Sequence, residues 1–259
     1  MAIKTQTLNG PDLYGYLAEP ETGARGGVLI YPTIFAVNDF VRGYAETLAR
    51  AGLAAAVWDI YSGLPLVTDY QESLKRARML DDAGVADMTG KWIDHMFGAM
   101  GLASVGVLGF CIGGRYALLQ AAADKRLKAC AMAYPSIENP RLANQDQDAL
   151  TLAADIACPV HLLHAGKDHV TEPPTYQLRN ARKKYHYQQS RFKEQHLLCN
   201  LFEGMGNQHL GYFFGEVGVL LVSFVNPLFQ GTCPFLKWVR PVFPLHLKPV
   251  AISASSSTR

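Results

Sequence analysis

The sequence predicts one α/β domain, a mostly parallel sheet with helices on both faces. Short apolar runs rich in β-branched residues alternate with longer amphipathic ones along most of the chain. No internal repeat and no interior low-complexity linker divides it. The length of 259 residues, with 49% hydrophobic and 18% charged side chains, suffices for a single large core.

The elements follow in order. GGVLIYP (Gly26 to Pro32) is a buried-strand run, and DFVRGYAETLARAG (Asp39 to Gly52) is an amphipathic helix ending at a glycine. LAAAVWDIY (Leu53 to Tyr61) returns as a strand, and the stretch from Ser73 to Gly101 is helical in character. SVGVLGF (Ser104 to Phe110) is again strand-like, and IGGRYALLQAAAD (Ile112 to Asp124), rich in Ala and Leu, is helical. LKACAMAYP (Leu127 to Pro135) and CPVHLLHAG (Cys158 to Gly166) are two further strands. The domain is expected to occupy residues 1–215. Residues 216–259, with several prolines and a Ser-rich end, read as an atypical, poorly ordered tail.

Composition narrows the function. A net charge of +2 and a pI of about 8.2 are too mild to favour a polyanionic partner, so neither nucleic acid nor an acidic membrane surface is expected. The first twenty residues lack the apolar core of a signal peptide, and the best later candidate for a span, Val217 to Phe229, is short and interrupted by Asn226 and Pro227. The five cysteines are odd in number and contain no CxxC pair, which argues against a disulfide framework or a structural zinc site and for a reducing, cytoplasmic setting.

One cysteine stands apart. Cys111 lies between the strand run ending at Phe110 and the helix starting at Ile112, within GFCIGG. Gly109 and Gly113 give GxCxG, the spacing of a nucleophile elbow with Cys in place of the commoner Ser. A helix N-terminus stabilises a thiolate, and its free N–H groups, starting with Ile112, are suited to hold an oxyanion. The competing reading is a small buried thiol, since free Cys is among the most buried residue types; Cys130 and Cys158, inside strand runs, are read that way.

GFCIGG, together with AGKDH (Ala165 to His169) and the stretch from Ile30 to Tyr61, resembles the dienelactone hydrolase family of α/β-hydrolases. The resemblance covers roughly residues 26–175. It implies an α/β-hydrolase fold, Cys111 as nucleophile, Asp168 as the acid that orients the base, and the backbone N–H groups of Ile34 and Ile112 as the oxyanion hole. It also implies cleavage of an ester or lactone without a cofactor, with a small-molecule substrate as partner. The nucleophile, acid, histidine order of this fold places the base after Asp168, where FEGMGNQHLGYFF offers His209. His196 is the fallback.

Three departures from the family pattern stand out. Thr33 occupies the place of a glutamate that in the lactone-cleaving members holds the cysteine proton. His209 comes two residues later than the family spacing, with Asn207 at the aligned place, and Phe213 stands where an arginine binds the substrate carboxylate. These departures keep a second expectation open, a catalytically silent relative that binds a ligand or partner. Acyl transfer to an acceptor other than water is a third.

Other motifs carry less. His161 and His164 fall on opposite faces of a strand, which disfavours a metal site. The basic and aromatic stretch from Arg179 to Lys193 reads as a solvated helix face. The segment from Gly63 to Arg78 is a candidate cap over the pocket, where Lys75, Arg76 and Arg78 are either contacts for an acidic substrate or plain surface charge.

Overall fold

The computed structural model describes residues 1–163 apart from Pro11 and Asn139. The expected boundary at residue 215 and the tail that follows it lie outside the described residues.

Sequential apolar runs form the centre of a seven-stranded sheet: β3 (Gly27–Tyr31), β4 (Ala54–Trp58), β5 (Val105–Phe110), β6 (Ala129–Ala133) and β7 (Val160–Leu163). They pair in parallel in the order β4-β3-β5-β6-β7. Every residue of β3, β4, β5 and β6 is buried, the pattern of strands covered on both faces.

Side chains alternate across this sheet. Val28 and Ile30 of β3 join Ala55 and Val57 of β4 and Leu108 and Phe110 of β5 in one cluster, with Val41, Tyr44, Ala45 and Leu48 of α1 (Asp39–Arg50) against them. Leu29, Ala56, Val107 and Met132 face the other way, onto α3 (Asp82–Phe97) and α4 (Ile112–Ala123). The central helix α4 buries ten of its 12 residues, so it reads apolar around most of its circumference.

Two elements differ from expectation. β1 (Ile3–Asn9) and β2 (Tyr14–Pro20) form an antiparallel pair, and β2 joins β4 antiparallel, which makes the sheet mixed at one edge. β1 is mostly exposed and polar, so its pairing comes from backbone hydrogen bonds and leaves no apolar alternation to read. The helical stretch from Ser73 to Gly101 is two helices. α2 (Tyr70–Ala77) starts where Asp69 accepts the Glu72 N–H at 2.8 Å, and α3 starts where Asp81 accepts the Gly84 N–H at 2.7 Å. The second aspartate cap divides what composition alone joins. A short helix, α5 (Ala149–Leu152), and a 3₁₀ turn (Ala153–Asp155) lead into β7.

One ion pair ties three segments together. Arg115 of α4, 1% exposed, donates two bonds of 2.6 and 2.9 Å to Asp82 at the start of α3 and a third of 3.0 Å to the Gln147 carbonyl. Asp82 also accepts the Gln147 N–H at 2.8 Å. Burial raises the Asp82 pKa, but the hydrogen bonds from Arg115 and Gln147 and the Arg115 charge outweigh it and hold the carboxyl below its usual value.

His161 in β7 has no such partner. It is 6% exposed, its Nε2 has no hydrogen-bond partner among the described residues, and burial lowers its pKa to about 4.

Two measurements follow from these buried charges. Removing Arg115 leaves Asp82 buried and unpaired, so Arg115→Ala is expected to cost about 3–5 kcal/mol in urea unfolding. The neutral state of His161 contributes full stability above the unfolded-chain histidine pKa of about 6.5, and that contribution falls away as pH drops toward about 4. The expected loss is up to about 3 kcal/mol across that window and is absent in His161→Leu. Asp82 weighs in only at lower pH, because its folded pKa lies below the ordinary carboxylate value. Equal pH slopes for the two proteins between pH 6.5 and 4 would refute the assignment.

Candidate active site

The parallel strands end together on one edge of the sheet, and the chain reversals there build the site. Cys111 occupies the turn from β5 into α4 with φ 54° and ψ −121°, a strained conformation for a residue with a side chain. Such strain costs about 1–3 kcal/mol and persists only where the surroundings fix it. Here the Cys111 N–H donates to the Ala133 carbonyl at 3.1 Å, at the end of β6. Its own carbonyl accepts the N–H groups of Gly114 and Ser136, both at 2.9 Å.

Two glycines permit the turn. A Cβ on Gly109 would collide with the Gly113 carbonyl, and one on Gly113 would collide with the Tyr31 and Pro32 carbonyls at the end of β3. The backbones therefore approach more closely than any side chain allows, which is the structural content of GxCxG. Cys111 is of intermediate exposure, whereas Cys130 and Cys158 are buried core residues, as expected.

Ile34 and Ile112 are brought together. Ile34 and Phe35 pack with Ala77 of α2, and Ile112 and Leu74 lie against the same cluster. Ile112 is the first residue of α4, so its N–H belongs to the first turn, which has no intrahelical acceptor. Ile34 sits in a turn in which the Ala36 N–H donates to the Thr33 carbonyl at 3.1 Å.

Thr33 is 7% exposed, and its hydroxyl accepts the Phe35 N–H at 3.2 Å, so the residue standing in the glutamate's place works as a turn cap. From the opposite side the Tyr61 hydroxyl lies 2.8 Å from the Ile34 carbonyl and 3.0 Å from the Ser73 carbonyl, joining the turn to α2. Burial raises the Tyr61 pKa well above its ordinary value, which keeps that proton in place.

A cleft of about 190 Å³ opens beside this turn. It is lined by Thr33 and Phe35, by Asn38 and Phe40 at the start of α1, by Leu66, Val67 and Thr68 of the loop after β4, and by Tyr134 after β6. The expected cap segment therefore does form one wall. The cations considered for an acidic substrate do not line it: Lys75 and Arg76 pair with Glu72 at 3.9 and 3.6 Å, Arg76 also donates to the Pro65 carbonyl, and Arg78 is exposed.

Asp168, His209 and the fallback His196 lie outside the described residues, as do Asn207, Phe213, Cys199 and Cys233. Among the described residues no group of His, Cys, Asp and Glu has metal-site geometry, and no helix is long and apolar enough to cross a membrane. Tyr61 and Tyr134 escaped the sequence reading. Nothing in WDIY or AYP distinguishes them, because their roles depend on which carbonyls and cavities the fold sets beside them.

Comparison with known proteins agrees with this geometry. A "probable 2-oxo-3-(5-oxofuran-2-ylidene)propanoate lactonase" of Bradyrhizobium sp. is 31% identical over 165 residues, covering 61% of this chain and 65% of that one. A carboxymethylenebutenolidase of Rhodococcus opacus is 32% identical over 139 residues, 52% of this chain and 54% of the relative. The chain thus spans less than two thirds of the length of these relatives. A crystal structure from Klebsiella pneumoniae, provisionally named a dienelactone hydrolase, shares the fold with a TM-score of 0.74 at 20% identity, over 86% of this chain and all of that one. The sequence profile described as "Dienelactone hydrolase family" matches residues 13–193, well over half of the sequence, and the chain belongs to the dienelactone hydrolase family.

Proposed function

We propose that this protein is a cofactor-independent hydrolase that cleaves an ester or lactone of a small carboxylic substrate through a cysteine acyl-enzyme. The observation that carries the reading is the strained Cys111 backbone, clamped between Ala133 and Ser136 at the N-terminus of α4. A structural thiol has no need of such strain. The related lactonase and carboxymethylenebutenolidase support the reaction class.

In the proposed mechanism His209 takes the proton of Cys111, and the thiolate sulfur attacks the scissile carbonyl. The electron pair of the C=O bond moves onto oxygen, which the N–H groups of Ile34 and Ile112 stabilise. Collapse of the intermediate breaks the bond to the leaving oxygen, which collects the proton from His209 and leaves a thioester on Cys111. Water, deprotonated by His209, then attacks the thioester, and the sulfur departs with the proton returned. Asp168 holds the imidazole in the required tautomer. With Thr33 engaged as a turn cap, thiol activation in this scheme falls to His209 and to the helix N-terminus.

Hydrolysis of p-nitrophenyl acetate by purified protein tests the reading. Cys111→Ala is expected to reduce turnover to the uncatalysed background with the fold retained, and His209→Ala to lower kcat by roughly 10²–10⁴-fold. Iodoacetamide is expected to abolish activity in step with one adduct on Cys111, located by mass spectrometry. Unchanged hydrolysis by Cys111→Ala would sink the mechanism. Wild-type protein without esterase activity, whose Cys111 reacts no faster than Cys199 or Cys233, would favour a silent binding protein.

Tyr61 is assigned as a positioning residue. Tyr61→Phe is expected to lower kcat roughly tenfold with KM little changed, less than the roughly 10²–10³-fold of losing an oxyanion donor outright. Faster amide hydrogen exchange at residues 33–36 is the accompanying signature; an equal change in KM and kcat would argue against the assignment.

A further inference from the structure

The cleft beside the Thr33 turn has a chemistry of its own. Among the described residues none of its lining side chains is charged, and Phe35, Phe40, Leu66, Val67 and Tyr134 are prominent in the wall. Two of its polar side chains are already engaged: Thr33 accepts the Phe35 N–H, and Asn38 accepts the Val41 N–H at 3.1 Å as the cap of α1. Of the charged side chains on the flanking elements, Asp69 caps α2 and Arg76 is engaged with Glu72 and the Pro65 carbonyl.

Thr68 and Tyr134 add two hydroxyls. Tyr134 is 2% exposed, and its hydroxyl has no hydrogen-bond partner among the described residues. Burial, and then the negative charge of Cys111, raise its pKa, so it stays protonated and sits within electrostatic reach of the thiol. Its backbone, at φ 41°, follows directly on Ala133, whose carbonyl holds the Cys111 N–H.

Size and exposure complete the picture. A cavity of about 150 Å³ walled by apolar side chains binds benzene, so a cleft of about 190 Å³ suits a phenyl ring or a short alkyl chain. Leu66, at its rim, is 55% exposed, a cost that a bound apolar group would relieve.

We infer that this cleft is the subsite for an uncharged, apolar acyl substituent of the substrate, so that neutral esters are preferred over anionic ones. The inference rests on the hydrolase reading for its substrate, but not for its binding chemistry. Among the described residues a carboxylate entering the cleft would meet no cation, and it would lose its water.

Two esters of one leaving group separate the cases: p-nitrophenyl hexanoate and the mono-p-nitrophenyl ester of glutaric acid, which carries a carboxylate at the far end of the acyl chain. The expected kcat/KM is greater for the hexanoate by roughly tenfold or more. Leu66→Lys should narrow that ratio by accelerating the glutarate ester. Equal kcat/KM for the two, both lost in Cys111→Ala, overturns the inference and leaves the hydrolase reading standing.

Ligand-observed NMR of the Cys111→Ala protein with benzamide and with benzoate reads the cleft without turnover. Benzamide binding that weakens in the added Phe35→Ala change, with benzoate bound more weakly, sustains the subsite even if no ester is cleaved and the hydrolase reading falls. Equal binding of the two, or binding of neither, overturns it.

Discussion

The close approach of β3, β5 and α4 around Gly109 and Gly113 is the constraint on which the rest of the site depends. It sets the Tyr31 and Pro32 carbonyls against Gly113 and the Gly113 carbonyl against Gly109, with no room for a Cβ at either place. That contact forces the chain to reverse at Cys111, and the reversal delivers three things together: an accessible sulfur, the free N–H groups of a helix N-terminus, and a turn after β3 held within reach of both. A looser packing would allow an ordinary turn and an unstrained cysteine, but it would lose the juxtaposition.

The strain is held by contacts well beyond the turn. The Cys111 N–H donates to Ala133 and its carbonyl accepts from Gly114 and Ser136, which fastens it to β6, α4 and the loop after β6. Arg115, one helical turn further on, locks α4 to α3 through Asp82 and to the loop at Gln147. A buried ion pair is a weak source of net stability, yet its geometry is specific, and here it fixes the rotation of the helix that follows Cys111. Tyr61 plays the corresponding part for the turn at Ile34, bridging it to α2. The turns at Cys111 and at Ile34 are thus each held from behind by a buried polar group.

The cleft adds a difference from the lactone-cleaving pattern that points in one direction. Where that pattern has a glutamate, Thr33 caps a turn, and where an anionic substrate would need a cation, the described wall offers two phenylalanines, a leucine, a valine and the neutral side chains of Asn38, Thr68 and Tyr134. The GxCxG turn is kept, while the described lining of the neighbouring cleft is neutral.

By itself the sequence determined the alternation of buried strands and helices, hence the parallel centre of the sheet, and the strand, turn, helix context of Cys111. Both follow from local rules: continuous apolar runs make doubly covered strands, and closely spaced glycines mark a close backbone approach. Local rules did not reveal β1 and β2, whose pairing rests on backbone hydrogen bonds, nor the Asp81 cap that splits α2 from α3. Asp168 and His209 were named from chain order and resemblance alone. Only the tertiary structure decided that Thr33 serves a turn, that Tyr61 reaches the Ile34 carbonyl 27 positions away, and that Tyr134, its buried hydroxyl unpartnered among the described residues, lines the cleft. Each of these depends on which distant backbone groups and side chains the fold sets side by side, and no pattern along the chain encodes that.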